Sequence, residues 1–278
     1  LPQEIIELIS KKITIYADYL RFRCVCRTWN SPVPKIPLHL PPQLPWLMLS
    51  PNSFFNLSTN KIHRVNLPIP FGPTRICGSS HGWLVVLNYT PELSLLNPIT
   101  RATISLPSLQ TFPNLVADLC DYKHDNLYLI KVVLSSSPSL SDDDFVVFAI
   151  LNLKEFVFCK KGYDSWVRLR VRENHYRWTD AVYKNGSFYV TSMNGQIAVC
   201  DIEGSQVFLH ENISISHYFI SMCYTVLAGE DMLLVKQSDD MRSTVTGFAV
   251  FKMNWNVLEW EEIQTLGEYS LFIGKNSS

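Results

Sequence analysis

The chain of 278 residues is 47% hydrophobic and 12% aromatic and carries a formal net charge of −1. Such a length accommodates one large and one small domain with a sizeable core, which indicates a globular protein. A nearly neutral charge gives no reason to expect nucleic acid or an anionic membrane as a partner. The longest apolar run, residues 145–151, is far below the roughly 20 residues of a membrane-spanning helix.

The first thirty residues contain two apolar stripes at helical spacing. We expect one helix over residues 2–9 and a second from about Asp18 to Trp29. The stripes consist of Pro2, Ile5, Ile6 and Ile9 in the first helix and of Phe22, Val25, Cys26 and Trp29 in the second. Four buried side chains of this kind represent about 6–12 kcal/mol. Because a unit below about 40 residues rarely folds alone, these surfaces should dock on the rest of the chain or on another protein.

A proline-rich segment follows at residues 31–45, with prolines at positions 32, 34, 37, 41, 42 and 45. Proline at this density prevents a regular helix or a central strand. A fully extended segment of this length spans about 45 Å, at about 3.1 Å per residue. We therefore expect a semi-rigid spacer and a domain boundary here.

From Trp46 onward the pattern changes to many short β-runs. The clearest runs cover residues 83–87, 93–96, 127–134, 145–151, 166–171, 187–191, 196–200, 245–252 and 257–263. Asn185-Gly186 and Asn194-Gly195 each separate two runs, which predicts two successive hairpins and hence a meander. Strands at this spacing are typical of a β-sandwich or a β-propeller, and repeated meanders favour the propeller.

A weak recurrence at strand ends supports repeated units. An apolar strand runs into Asn or Asp at Leu96-Asn97, Leu151-Asn152 and Cys200-Asp201. At about 40 residues per blade, the region after residue 45 would form five or six blades.

Several chemical motifs can be weighed, and none of them demands an enzyme. Residues 78–82 match G-x-S-x-G, but an apolar strand follows instead of the helix that a nucleophile elbow requires, so Ser80 is expected in a tight turn. The histidines show no zinc-binding spacing, and no phosphate-binding glycine loop occurs. The carboxylates that could cluster in space, mostly expected at strand ends or turns, are Asp118, Asp121, Asp180 and Asp201.

Two further residue groups bear on partners and compartment. Arg168, Arg170 and Arg172, followed by Arg177, alternate with Leu169 and Val171, which is typical of a half-buried strand with its charged face in water. The alternative is a site for an acidic peptide or a phosphate. The seven cysteines contain no C-x-x-C pair, which favours reduced thiols in the cytosol or nucleus.

The opening residues resemble an F-box, the motif that recruits the Skp-family adaptor of SCF-type (Skp, cullin, F-box) ubiquitin ligases. The resemblance rests on Leu1-Pro2, on Glu4-Ile5-Ile6 with Ile9, and on Val25-Cys26-Arg27-x-Trp29 at the expected separation. The intervening residues 11–17 are short for the motif.

Later segments resemble plant F-box proteins that carry a KIB-type (DUF295-like) β-propeller. The matching segments are residues 44–48 (LPWLM), 78–84 (GSSHGWL), 95–100 (LLNPIT), 106–107 (LP), 180–189 and 266–274. Members of this family continue past the Phe-x-Gly element that lies here at residues 272–274, whereas this chain ends at Ser278. The resemblance therefore leaves the completeness of the last blade open, and the absence of an initiating Met leaves an upstream targeting segment open.

The resemblance implies a mainly β protein in which F-box helices (residues 1–30) and a spacer (31–45) precede a propeller (46–278) of five or six blades. It implies a non-catalytic substrate-recognition subunit in the cytoplasm or nucleus, without catalytic residues, cofactor or metal. The implied partners are a Skp-family adaptor, through it a cullin, and a protein substrate of unknown identity, with neither nucleic acid nor membrane. The adaptor-contacting positions carried over are Leu1, Pro2, Ile5, Ile9, Leu20, Val25, Cys26 and Trp29.

Two alternatives from other classes remain open. The first is a propeller interaction module with a degenerate F-box that acts outside the ligase. The second is a propeller-fold hydrolase whose residues meet at the central channel. Three or more convergent carboxylates or histidines in that channel would favour the hydrolase.

Overall fold

The computed structural model describes most of the chain. The described residues are 1–35, 37–41, 43–69, 74–88, 92–111, 129–139, 145–172, 175–211, 213, 215, 220–240 and 244–274. They form three helices, one 3-10 turn at Leu109–Thr111 and nineteen strands in five antiparallel sheets. The chain divides into two compact units, Leu1–Pro70 with Leu96–Thr103 and Phe71–Leu95 with Ile104–Ser278. None of the described helices is long and apolar enough to cross a membrane.

The three helices all lie near the start of the chain. They are α1 (Gln3–Ser10), α2 (Tyr16–Arg23) and α3 (Arg27–Asn30). The prediction of one helix over residues 18–29 is wrong, because Cys26 has extended backbone with φ −164° and ψ 171°. A straight helix would hold Phe22 and Trp29 about 10 Å apart along its axis. The break brings their ring centroids to 4.5 Å, so both rings join one cluster.

The helices have a small core of their own. Ile6, Tyr19 and Val33 are buried at its centre, and Ile13, Phe22, Trp29 and Leu40 pack around them. Val33 and Leu40 belong to the predicted spacer, which therefore packs on the helices instead of extending away. The Tyr19 hydroxyl donates to the Pro34 carbonyl at 2.7 Å, and burial raises the pKa of that hydroxyl. The role of residues 31–45 as a domain boundary stays a prediction.

Each sheet consists of strands that are consecutive in the chain, which is the arrangement of propeller blades. The strands are β1 Trp46–Ser50, β2 Ser53–Asn56, β3 Lys61–Arg64, β4 Arg75–Ser80, β5 Trp83–Leu87, β6 Leu93–Leu96, β7 Thr103–Ser105, β8 Leu129–Leu134, β9 Val146–Leu151, β10 Glu155–Lys160, β11 Val167–Leu169, β12 Trp178–Lys184, β13 Ser187–Ser192, β14 Ile197–Asp201, β15 Gln206–His210, β16 Ile220–Ala228, β17 Asp231–Asp239, β18 Val245–Asn254 and β19 Glu259–Ile263. Blade 1 is β1–β3, and blades 2 to 5 are β4–β7, β8–β11, β12–β15 and β16–β19. The predicted class, mainly β with N-terminal helices and a propeller, is confirmed, with five blades.

The first strands of blades 2 to 5, here called the inner strands, contact one another in sequence: β4 with β8, β8 with β12, and β12 with β16. Each inner strand has a one-residue register shift against the second strand of its blade. The shifts fall between Ile76 and Gly78, Leu129 and Lys131, Trp178 and Asp180, and Ile220 and Met222. A bulge bends its strand and re-aims the side chains beside it. Apolar clusters fill the spaces between neighbouring blades of this unit.

A recurring turn explains the Asn and Asp residues at strand ends. Four blades share a turn in which Asn or Asp closes one strand and a residue with positive φ follows four positions later. The pairs are Asn56 and Asn60, Asn97 and Arg101, Asp201 and Ser205, and Asn254 and Leu258. In each turn a side-chain oxygen of the first residue accepts a backbone N–H two residues on, at 2.9–3.1 Å. We call this the Asx turn. Blade 3 differs, because Asn152 lies in the turn between its second and third strands.

The Asx turn of blade 4 allows a direct stability test. Asp201→Ala removes the acceptor of the Glu203 N–H, which lies at 3.0 Å, and should cost about 1–2 kcal/mol of unfolding free energy. Asp201→Asn keeps an acceptor, as Asn97 and Asn254 do in their blades, and should stay within about 0.5 kcal/mol of the parent. Urea unfolding measures both variants. Equal losses of unfolding free energy in the two variants would show that the carboxylate charge matters and that the hydrogen bond to the Glu203 N–H does not.

Candidate functional site

The outer surface of α1 carries large apolar side chains that the structure leaves in solvent. Leu1, Ile5, Leu8 and Ile9 are all exposed, whereas Ile6 points into the helical core and is fully buried. Of the predicted stripe, Ile6 therefore belongs to the interior, and Ile5 and Ile9 belong to the surface. Leu8 is 57% exposed and was missed by the sequence argument, although it lies three residues after Ile5 on the same helix.

The turn between α2 and α3 exposes a second apolar group. Val25 is 60% exposed, and Cys24 and Cys26 on either side of it are also exposed. Leu20 and Trp29 are half-buried, and the Trp29 ring packs on Phe22. The eight predicted contact positions thus divide into six exposed residues and two half-buried ones, Leu20 and Trp29. Leu1, Pro2, Ile5, Ile9, Val25 and Cys26 form the exposed set.

Hydrogen bonds hold the helical end in shape beneath these residues. Gln43 donates to the Thr14 carbonyl at 3.0 Å and accepts the Tyr16 N–H at 3.2 Å, so the end of the predicted spacer caps the start of α2. Arg23 donates to Asn30 at 2.7 Å across the turn that carries Val25. The segment that carries Val25 is therefore held at the start of α2 and across the turn to α3.

Polar side chains also meet on the inner strands. Asp180, in β12, accepts the Thr225 N–H at 2.7 Å and pairs with Lys131 of β8 at 2.7 Å. The Asp180 side chain is 4% exposed and the Lys131 side chain 11%. Asp180 is thus an interior residue, not the strand-end residue expected from sequence. Asp201 does end a strand, while Asp118 and Asp121 lie outside the described residues. Among the described residues no three His, Cys, Asp or Glu side chains gather as metal ligands would.

The G-x-S-x-G segment forms a hairpin, as expected. His81 and Gly82 have φ of 50° and 76° and connect β4 to β5. The Ser80 hydroxyl accepts the Leu134 N–H at 3.2 Å, so it joins two blades and does not stand at a nucleophile elbow. No observation in the described part of the chain favours the hydrolase alternative.

The arginine series agrees with a half-buried strand. Leu169 of β11 is buried, while Arg168 is exposed and pairs with Glu155 of the same blade at 3.1 Å. Arg170 and Arg172 follow the strand and are exposed. Arg168 already has a carboxylate partner within its blade. The arginine series therefore has less positive charge available for an acidic peptide or a phosphate than its sequence indicates.

The cysteines fall into two classes. Cys24 and Cys26 are exposed, while Cys77, Cys159, Cys200 and Cys223 are buried, and all six are free thiols. Burial raises the pKa of Cys77 and Cys223 to about 11 and that of Cys159 to about 12. Only the two thiols on the helical end are therefore accessible among the described cysteines, and Cys120 lies outside them.

Comparisons with known proteins bear on both the helices and the blades. The sequence model of the KIB1-4 beta-propeller family matches residues 54–278. The F-box/kelch-repeat protein KIB1 of Arabidopsis thaliana is 26% identical and aligns with 98% of this chain and 72% of its own. The F-box protein KIB4 of the same plant is 24% identical over 97% of this chain and 75% of its own. Both alignments include the helical end.

A solved structure also resembles the chain, at a lower level. YCF48 from Cyanidioschyzon merolae superposes with a TM-score of 0.44 and 12% sequence identity, covering 79% of this chain and 66% of its own. This likeness is too distant to carry an argument.

The division of α1 into a buried and an exposed side can be tested by substitution. Ile6→Ala empties part of the helical core and should destabilise that core by about 2–5 kcal/mol. Ile5→Ala changes an exposed side chain and should have an effect below about 0.5 kcal/mol. Amide hydrogen exchange of residues 3–23 reports both effects without requiring global unfolding. Equal protection in the two variants would contradict the assigned orientation of the helix.

Proposed function

The chain belongs to the KIB1-4 beta-propeller family, and from that premise we propose that it is the substrate-binding subunit of an SCF-type ubiquitin ligase. In this proposal the helical end binds a Skp-family adaptor, which connects the chain to a cullin. The propeller binds the protein substrate. The relatives that align with the helical end are themselves named F-box proteins.

The observation that carries the proposal is the set of exposed apolar residues on the helical end. Leu1, Ile5, Leu8, Ile9 and Val25 remain exposed although the helices already possess the core of Ile6, Tyr19 and Val33. The unit does not need these side chains for its own folding, and exposing them is unfavourable. Clustered exposed apolar side chains of this kind are typical of protein–protein contacts.

The proposed mechanism is proximity, and the chain itself is not catalytic. A receptor that holds a substrate beside the charged ubiquitin-conjugating enzyme raises the effective concentration of the reacting lysine. The transfer chemistry then belongs to other subunits. We place the protein in the cytoplasm or nucleus, a location supported by the six free thiols of the described residues.

Adaptor binding is expected to depend on the exposed residues and not on the core. The double variant Ile5→Asp with Val25→Asp puts a charge into each apolar contact and should weaken adaptor binding by at least tenfold per site. Leu38→Asp is the matched control, because Leu38 is exposed but lies outside both contact groups. Calorimetric titration with purified adaptor gives the affinities. Wild-type affinity in the double variant would falsify this interface.

Thiol labelling offers an independent footprint of the same contact. At pH 8, iodoacetamide should modify Cys24 and Cys26 rapidly, because both are exposed. Cys77, Cys159 and Cys223 should react only after unfolding, since a pKa of about 11 to 12 leaves little thiolate in the folded state. Adaptor binding should slow the labelling of Cys26 by at least tenfold, as read by mass spectrometry. An unchanged rate with adaptor bound would place Cys26 outside the contact.

A further inference from the structure

The Asx turn of blade 5 exposes three large apolar side chains in four consecutive positions. Trp255, Val257 and Leu258 are 40%, 58% and 41% exposed. They connect β18 to the outermost strand of the blade, β19. The apolar clusters formed by the described residues of the propeller include none of these three side chains. We call this segment, residues 255–258, the blade 5 knob.

The knob is held rigidly. Asn254 accepts the Asn256 N–H at 3.1 Å, and its amide donates to Glu261 at 2.6 Å. The Trp255 ring lies edge-on to Tyr189 of blade 4, with centroids 5.6 Å apart. Leu258 has a φ of 58°, a left-handed conformation that is unfavourable for a bulky side chain. Local strain of this kind tends to occur at ligand contacts, because selection for stability alone would remove it.

The equivalent turns of blades 1, 2 and 4 show what folding alone requires. At the position of positive φ they have Asn60, Arg101 and Ser205, which are all polar, and among them only the turn of blade 2 exposes a large apolar residue, Ile99. In blade 4 the turn buries its apolar residue, Ile202, and exposes polar ones. Polar residues therefore suffice to form the same turn in this protein. The three exposed apolar side chains of blade 5 are not needed to form it.

The surroundings of the knob are strongly acidic. Glu259, Glu261 and Glu262 follow it on β19, and all three are exposed. Residues 255–274 contain four acidic and no basic side chains. Lys252 on the neighbouring strand β18 pairs with Asp231 at 2.8 Å. A partner at this surface must complement both apolar contacts and negative charge.

We propose that the blade 5 knob binds an extended segment of a partner protein that carries lysine or arginine beside leucine-like side chains. The apolar side chains of the segment contact Trp255, Val257 and Leu258, and its cations face Glu259 and Glu261, which share one face of β19. This inference rests on the proposed function only in identifying the partner as the substrate of the ligase. The contact itself involves the propeller and none of the adaptor-binding residues.

Three synthetic peptides test the chemistry of the segment on the full chain. One alternates lysine and leucine, the second glutamate and leucine, and the third lysine and serine, each with a fluorescent label. Fluorescence anisotropy should show at least tenfold tighter binding of the lysine–leucine peptide than of the other two. Its affinity should fall as the ionic strength rises toward about 1 M, where the Debye length is about 3 Å. Equal binding of all three peptides would overturn the proposal.

Variants of the knob separate binding from folding. Leu258→Asn relieves the left-handed strain, because Asn tolerates positive φ, so it should raise the urea midpoint of unfolding. The same variant should weaken binding of the lysine–leucine peptide about tenfold. Trp255→Ser should weaken binding of this peptide at least as much. Ile99→Ser is the matched control, because Ile99 is 41% exposed in the equivalent turn of blade 2 and should not affect binding. Unchanged affinity in both knob variants would refute the assignment.

Two further outcomes keep this inference distinct from the ligase proposal. If the parent chain binds the adaptor but none of the three peptides, the knob proposal alone is refuted. If the parent chain binds the lysine–leucine peptide but not the adaptor, the adaptor interface alone is refuted. Light scattering tests whether a second copy of the chain occupies the knob instead. A dimer that Leu258→Asn dissociates would assign the surface to self-association and overturn the proposed partner.

Discussion

The buried carboxylate of Asp180 connects three blades of the propeller. It accepts a backbone N–H from β16, belongs to β12 and pairs with Lys131 of β8. A buried charge is unfavourable unless its partners satisfy it, and losing one partner typically costs about 3–5 kcal/mol. Neighbouring blades also meet through apolar clusters and through single hydrogen bonds, such as those of Ser80 with Leu134 and of Thr191 with Thr225. The ion pair and its hydrogen bonds fix the alignment of β8, β12 and β16, and the outer strands and turns of blades 3 to 5 are attached to these three strands.

The candidate functional surfaces are distinguished more by where they lie on the folded chain than by the chemical groups that they contain. The polar residues of the interior are engaged in holding blades together, as Ser80 does for β4 and β8. The exposed apolar side chains that folding does not require are those of α1, of the turn at Val25 and of the Asx turn of blade 5. A folded surface that presents apolar groups in this way is suited to bind proteins.

The sequence predicted strands best where a strong turn signal bounded an apolar run. Residues 83–87 and 93–96 form strands as predicted, and Asn185-Gly186 forms a two-residue hairpin with φ of 50° and 86°. Strand β10 was missed because the turn before it, at Asn152 and Leu153, adopts positive φ without a glycine. Strand β17 was missed because it contains the buried Lys236, which interrupts its apolar pattern. Both failures arise where tertiary contacts stabilise a local structure that the residues alone do not favour.

The sequence by itself determined the mainly β class, the helical start of the chain and the residue types at the repeated turns. These follow from local periodicity and turn chemistry, which depend only on neighbouring residues. Only the tertiary structure decided which side chains are free to bind a partner. Ile5 and Ile6 are adjacent and chemically identical, yet one is exposed and the other buried, because Tyr19 and Val33 approach α1 from one side. Exposure depends on how the chain packs, so the helical periodicity of the sequence could not predict which of the two residues is buried.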